Sequence, residues 1–580
     1  MNRLLVPLLL LFTVSLFAQK NEPAFLRIAT PSNDNNAIRS PRQFISGVTC
    51  KSCELTVNDE PIKVYATGGF AHQLSMQPGV NTFTIVANGP GKSSATRKLT
   101  FSYTIPVPDT VKDFRIASIQ TYPEGNLIVA PGEKIRFRVK AMPGCKVVAN
   151  GNIPLYEMPT GATNPVPGIY QAEYTVTDSD SFSMTQIPIT LTGADNSRLT
   201  QRTSNKISML SDLPSDMVIT KGRLAYLLFG LGEDRLGGSK IGYIDSLIPL
   251  RVLGKAGNLF KVQLSKYRSA FIPDDAVEYL PKGTFTPQSL SSSWRVYGDS
   301  SFDYVQVGFS TRLPYQSQQY TDPSRIVVDV FGATNNTNWI TQLENTREIK
   351  RVDYEQLEDE VLRIIIQLKH PHHWGHAIYY SGNRLVIKVR PQPAKLELRN
   401  LRIAIDAGHG GGNVGTKGPT GSSEKELALA VALKLRQALR LQGAKTIMTR
   451  VSETYVDNKE RILMYRDSLP DLLVSIHLNS SGDPVNIAGT STYYRHIGFR
   501  PLSLDIYKRM LELGLKEFGN IGSFNFMLNS PTEYPNALVE MLFLSNPADE
   551  MLIMDEKFQQ SVADKIVAGI KDFLAGCKEE

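Results

Sequence analysis

Cysteine is scarce in these 580 residues: only Cys50, Cys53, Cys145 and Cys577 occur. A disulfide-dense scaffold is therefore excluded. Cys50 and Cys53 form a CxxC, but no second pair completes a four-thiolate zinc site, so a local disulfide or two buried thiols is expected there. Beyond the first residues no stretch is long and apolar enough to cross a bilayer, which predicts no stable membrane span. Long runs of one charge are missing as well. The net charge of +7 is spread along the chain. No nucleic-acid-binding motif accompanies it, so no nucleic-acid partner is expected. Mild basicity suits an anionic polymer, and equally it is a plain excess of Lys and Arg.

At this length the chain should hold several domains, because single cores stop growing near ~250–300 residues. Residues 1–18 carry Arg3, an apolar run from Leu4 to Phe17 and Ala18, the layout of a secretory signal peptide and hence of an exported protein. Residues 24–106 show short alternating runs such as Glu54-Leu55-Thr56-Val57, punctuated by Asn58-Asp59, Gly68-Gly69 and Asn88-Gly89. That rhythm predicts an antiparallel β-sandwich of immunoglobulin-like type. Residues 107–197 repeat the texture as a second β-sandwich. Cys53 through Asn58-Asp59 and Cys145 through Asn150-Gly151 share one interval, each a strand entering a tight turn, which reads as a tandem repeat.

Residues 200–283 contain short strands with tight links, among them Ile248-Pro249-Leu250-Arg251-Val252 and Phe260-Lys261-Val262-Gln263-Leu264. Residues 284–394 alternate or run apolar, as in Arg325-Ile326-Val327-Val328-Asp329-Val330, and predict a β-sandwich. Within them His370, His372, His373 and His376 crowd around Pro371 and Trp374. Such density can signal metal binding. With Pro, Trp and Gly present and no accompanying acid or Cys, a partly packed aromatic loop is the expectation.

From residue 399 to 578 strands and helices alternate. Strand candidates are 401–405, 445–449, 472–476, 490–495 and 537–543, and helix candidates 424–441, 457–468, 501–518 and 555–575. The alternation predicts a mostly parallel sheet covered on both faces by helices. Leu401 through Ala407 is a buried-strand run that breaks into Gly408-His409-Gly410-Gly411, and Leu472 through Ile476 is another that ends at His477. Open α/β sheets place their chemistry at such strand ends. Between them Ser422-Ser423-Glu424-Lys425-Glu426 opens a helix that Ser422 or Ser423 can cap. Two His and one Glu make the His₂Glu set of a catalytic zinc, one ion per domain, with a fourth position left for water. Glu426 rivals Glu424 on spacing alone. Glu540, inside Ala537 through Phe543, needs a reason to be in a buried run; general acid–base work supplies one. Singly, His409 could cap a sheet edge, His477 could be a satisfied core histidine, and Glu424 only a first-turn charge. Asp406 reads as an orienting group, and Asn479 and Asn546 as loop staples.

Taken together, Ile405 through Gly411, Glu424-Lys425, Ser475 through Asn479, and Val539-Glu540 through Leu544-Ser545-Asn546-Pro547 resemble zinc-dependent N-acetylmuramoyl-L-alanine amidases. The resemblance selects Glu424 over Glu426. It implies zinc on His409, Glu424 and His477, Glu540 as general base, and the amide joining N-acetylmuramic acid to L-Ala as substrate. Residues 200–283 are then similar to bacterial Src-homology-like β-barrels, and 284–394 to a localisation module found upstream of some amidases. The implied architecture is multidomain: all-β modules followed by an α/β amidase domain. The implied partners are peptidoglycan and division-site or activator proteins, and the implied place is the periplasm or cell envelope. Only Ser481 to Thr490 separates His477's strand from the next, so no internal helical plug is expected. An idle peptidoglycan-binding protein and a zinc carboxypeptidase are the rival readings.

Overall fold

The computed structural model describes residues 23–579 apart from 91–92, 106–109, 162–163, 165, 210–215, 231–237 and 257. The expected signal peptide at 1–18 lies outside the described residues. The first module packs a three-stranded sheet (Leu26–Thr30, Arg42–Thr49, Gly69–Ser75) on a five-stranded one that includes Glu54–Val57, Gly79–Asn88 and Ser94–Tyr103. Ile45, Leu55, Phe70, Ile85 and Phe101 fill the space between them. Cys50 and Cys53 are joined by a disulfide with Cα atoms 5.1 Å apart.

The second module hydrogen-bonds seven strands continuously, from Ile116–Tyr122 to Arg198–Arg202, around a core of Ile135, Phe137, Val147 and Ile189. The repeat is visible in its turns. Asn58-Asp59 and Asn150-Gly151 both have positive φ at both positions, the two-residue hairpin geometry that matches strand twist. Each Asn also donates its backbone N–H to the neighbouring strand, to Thr84 O and Pro188 O.

A third unit curls seven strands between Met217 and Tyr279. Its core (Val218, Leu227, Val262, Ile272) runs without a break into that of the next module (Trp294, Val328, Ile364, Ile387). That module faces a five-stranded sheet with a four-stranded one.

The C-terminal domain contains β1 (Arg402–Ala407), α1 (Glu424–Leu441), β2 (Lys445–Met448), α2 (Asn458–Ser468), β3 (Leu472–Asn479), β4 (Thr490–Tyr493), α3 (Arg500–Leu511), β5 (Glu517–Ile521), β6 (Asn536–Phe543), α4 (Pro547–Ile553) and α5 (Glu556–Glu579). The sheet order is β2-β1-β3-β6-β4-β5, parallel except where β4 meets β6. Alternation sorts the side chains. Ile403, Ile405, Val474, Ile476 and Val539 join the core built with α1, α3 and α5. Ala404 and Leu473 face Ile462 and Tyr465 of α2, with Leu224 and Tyr243 of the third unit packed alongside. One face is thus closed by helices and the other by α2 together with an upstream module.

Two elements differ from the sequence expectation. The helix expected over 501–518 ends at Leu511, because Gly514 takes a φ of +74° and turns the chain. The freed residues then form the edge strand β5. The short helix α4 is the other addition; Asn546 caps it, accepting from Ala548 N and Asp549 N.

Candidate metal centre

The apolar run of β1 stays in the sheet through Ala407 and then breaks at Gly408. A Cβ on Gly408 would lie 2.4 Å from the His477 ring, so only glycine lets the two strand ends approach. His409 has φ +59°, unusual for a non-glycine residue, and Gly410 and Gly411 follow with φ +131° and +53°. This reversal aims the imidazole back over the sheet. His477, near the end of β3, lies on the same sheet face as Leu473 and Ser475. Glu424 opens α1 and is buried.

The three side chains converge. His409 Nε2 and His477 Nδ1 are each 3.0 Å from Glu424 Oε1. The two rings stand 5.1 Å apart at 73°. Among the described residues these three form a group whose ligand atoms lie within 4.8 Å of one another. Burial works to raise the Glu424 pKa, but hydrogen bonds and charge from both histidines hold it far below the usual carboxylate range. Burial likewise disfavours the His477 cation, yet Glu424, Glu540 and Asp406 raise its pKa. Acidic groups thus surround the imidazoles, as a cation site requires.

Surrounding groups fix each ligand's orientation. Asn413 Oδ1 sits 2.9 Å from His409 Nδ1, leaving Nε2 for the centre. Thr416 N–H donates to Glu424 Oε2 at 2.9 Å, and Leu478 N–H to Oε1 at 3.1 Å. A Cβ on Gly415 would strike the Glu424 carboxylate at 2.4 Å. Asp406 is fully buried and accepts from Arg461 at 2.9 Å and Thr449 at 3.1 Å. Arg461 also donates to Ala407 O and His409 O, and Arg450 to Ala407 O and Gly408 O. Two buried guanidiniums thereby pin the carbonyls of the His409 loop.

Glu540 is buried in β6, its Cα paired in register with that of His477. The pairing places it on the His477 side of the sheet, next to the ligand cluster. The other residues singled out in the sequence take structural places. Glu426 lies in the first turn of α1, outside the three-residue group. Asn479 accepts from Ser480 N and donates to Tyr493 Oη, a loop staple like Asn546. Neither serine caps α1 with its side chain. Ser423 occupies the cap position without such a bond, and Ser422 donates to Glu550. The N–H groups of Glu424 and Lys425 find Thr416 O and Val414 O instead, because the glycine-rich loop folds back over the helix start.

The four loop histidines do not meet. His370 pairs with Glu348 at 2.8 Å, His373 with Tyr320 O at 2.8 Å and His376 with Ser317 Oγ at 3.0 Å, while His372 stands edge-on to Phe573. Trp374 enters the C-terminal core against Phe573, and His376 N–H donates to Thr532 O. The loop is a docking plug between two domains.

Sequence reading missed Arg450, Arg461, Asn413 and Thr416. A signal existed for Arg461, which shares one face of α2 with the buried Ile462 and Tyr465.

These features define an α/β domain with a two-histidine, one-carboxylate candidate metal centre. Residues 403–572 match the N-acetylmuramoyl-L-alanine amidase family, and residues 293–396 match the AMIN domain. It is the C-terminal domain that carries the match to the N-acetylmuramoyl-L-alanine amidase family. It is 32% identical over 183 residues to a probable cell wall amidase, LytH, of Staphylococcus aureus, spanning 31% of this chain and 61% of the relative. A solved N-acetylmuramoyl-L-alanine amidase of Clostridium difficile 630 is 31% identical, covering 30% of this chain and 97% of that one, with a TM-score of 0.29. The catalytic domain of CwlV, an N-acetylmuramoyl-L-alanine amidase from Bacillus (Paenibacillus) polymyxa var. colistinus, is 32% identical over 30% of this chain and 98% of that one, with a TM-score of 0.29.

Proposed function

We propose that this protein is an exported zinc hydrolase of the cell envelope. It cleaves the amide between N-acetylmuramic acid and L-alanine of peptidoglycan, in wall remodelling or daughter-cell separation. The observation that carries this reading is the convergence of His409, Glu424 and His477 in a domain of the amidase family, with Glu540 in register beside His477. Two imidazoles and a carboxylate within 4.8 Å suit zinc. A zinc ion held by these residues would supply Lewis-acid chemistry and a water acidified to a pKa of ~7.

The chain's own residues do the rest. His409, Glu424 and His477 would hold the ion, their orientation fixed by Asn413, Thr416 and the Asp406–Arg461 pair. Glu540 takes a proton from the attacking water and returns it to the departing amine of L-alanine, a role worth ~10²–10⁴-fold. The AMIN domain holds the enzyme on peptidoglycan. The functional units are 24–106, 107–197, 200–283, 284–394 and 399–578, with a signal peptide at 1–18. The linker from Asn479 to β4 carries no helix, which supports a site without an internal plug.

The test is digestion of purified peptidoglycan by the zinc-loaded protein and by Glu540→Ala, with mass spectrometry of the released fragments. Intact stem peptides beginning at L-Ala, absent with the variant, are the expected result. Shortened peptides would mean a carboxypeptidase, and no release despite bound zinc an idle binding protein.

A further inference from the structure

The first β-module does not stand apart from the catalytic domain. Arg27 donates a hydrogen bond to Thr420 O, and a Cβ on Gly69 would meet the side chains of Thr420 and Glu550 at 3.3–3.4 Å. Between the two domains lies a cleft of about 540 Å³. Arg27 and Ser46 line one wall; Lys417, Ser480, Ser481 and Ser545 line the other. Two cations and a set of hydroxyls face this space, and no carboxylate is among its lining residues.

The two segments of the catalytic-domain wall follow closely in the chain on residues of the metal centre. Lys417 follows Thr416, whose N–H holds Glu424, and Ser480 lies just beyond His477 and Leu478. Those walls are firmly held. Buried Glu550 accepts from Thr420 Oγ1 and Ser422 Oγ, each at 2.6 Å, and Ser481 N–H donates to Ser545 Oγ at 2.9 Å. A cation-lined, pre-formed cleft, whose catalytic-domain residues lie a few positions along the chain from the candidate ligands, suits an anionic extension of the substrate.

We propose that this cleft is a subsite for carboxylates of the stem peptide, with Arg27 of the first β-module and Lys417 of the catalytic domain as its cationic partners. The proposal rests on the amide-hydrolase reading and deepens it. The first module thereby completes the substrate site instead of only spacing the enzyme from its surroundings. A guanidinium at the edge of the cleft binds a carboxylate through two N–H groups, whereas the sugars contribute only neutral hydroxyls to the Ser-lined walls.

The test uses the full chain carrying Glu540→Ala, so that bound ligand is not turned over, and isothermal titration. The probes are an N-acetylmuramoyl peptide with free carboxylates and the same compound with those carboxylates converted to amides. Arg27→Ala and Lys417→Ala are each expected to weaken the free-carboxylate probe about tenfold. The amidated probe should bind weakly and equally to all three proteins. Lys417 lies outside the first module, so its variant reports on the cleft without touching domain docking through Arg27. Equal binding by Arg27→Ala, equal loss for both probes, or no binding by any form would overturn the proposal. Turnover by the Glu540-containing protein is scored separately. Its absence, with the binding pattern intact, would sink the amidase reading and leave the cleft.

Discussion

Two regions of this molecule are rich in histidine, and they behave in opposite ways. Half of the eight histidines crowd into 370–376, yet each finds a separate partner and none of them joins a three-residue metal-type group among the described residues. His409 and His477 are far apart in sequence, yet their rings stand 5.1 Å apart around one carboxylate. Proximity of ligand atoms comes from topology: adjacent parallel strands deliver their ends to one place. A loop that carries its histidines in a row points them in different directions.

The largest expected effect on that contrast is at His409. His409→Ala should bring peptidoglycan hydrolysis to the uncatalysed background, beyond the ~10–100-fold loss typical of residues that only orient a ligand. His372→Ala should leave the rate unchanged in the same dye-release assay. An inactive His372→Ala or an active His409→Ala would erase the distinction between the two regions.

The docking loop should fail in its own way. Trp374 is 1% exposed and packs on Phe573. Trp374→Ala should cost ~3–5 kcal/mol of stability, read by denaturant unfolding, while bound metal is retained. A metal-free but otherwise stable variant would mean that the loop serves the site directly.

The remaining effect is a pH dependence. Burial pushes His373 down to about 4 and His376 down to about 3, from an ordinary 6.5. Below pH 6.5 the unfolded chain takes up protons that these folded residues refuse, so their contribution to stability is full above 6.5 and falls as pH drops toward 4. The melting temperature should decline across that window, and His376→Gln should flatten the decline. A parent whose melting temperature is flat from pH 7 to 5 would contradict the buried, neutral state of both rings.

Much of this could be read in the sequence, for a physical reason. Buried parallel strands are near-continuous apolar runs, so the points where Leu401–Ala407 and Leu472–Ile476 break into His and Gly mark strand ends. A Glu inside Ala537–Phe543 stands out against the same background. What escaped was everything set by non-local contact. Arg450 and Arg461 look like ordinary surface charges until the carbonyls of the His409 loop converge on them. Ser423 looks like a helix cap, but the folded-back loop reaches the helix start first. β5 was hidden because a helical pattern continues past Gly514, whose positive φ ends it. The contact between Arg27 and Thr420 joins two domains from opposite ends of the chain, and no local pattern encodes it.

The most direct test of the central claim is metal content by inductively coupled plasma mass spectrometry on purified, zinc-equilibrated protein. The expected result is one zinc per parent chain, one per chain in a His370→Ala/His372→Ala double variant, and none in His477→Ala. Zinc retained by His477→Ala, or lost with the loop histidines, would contradict it.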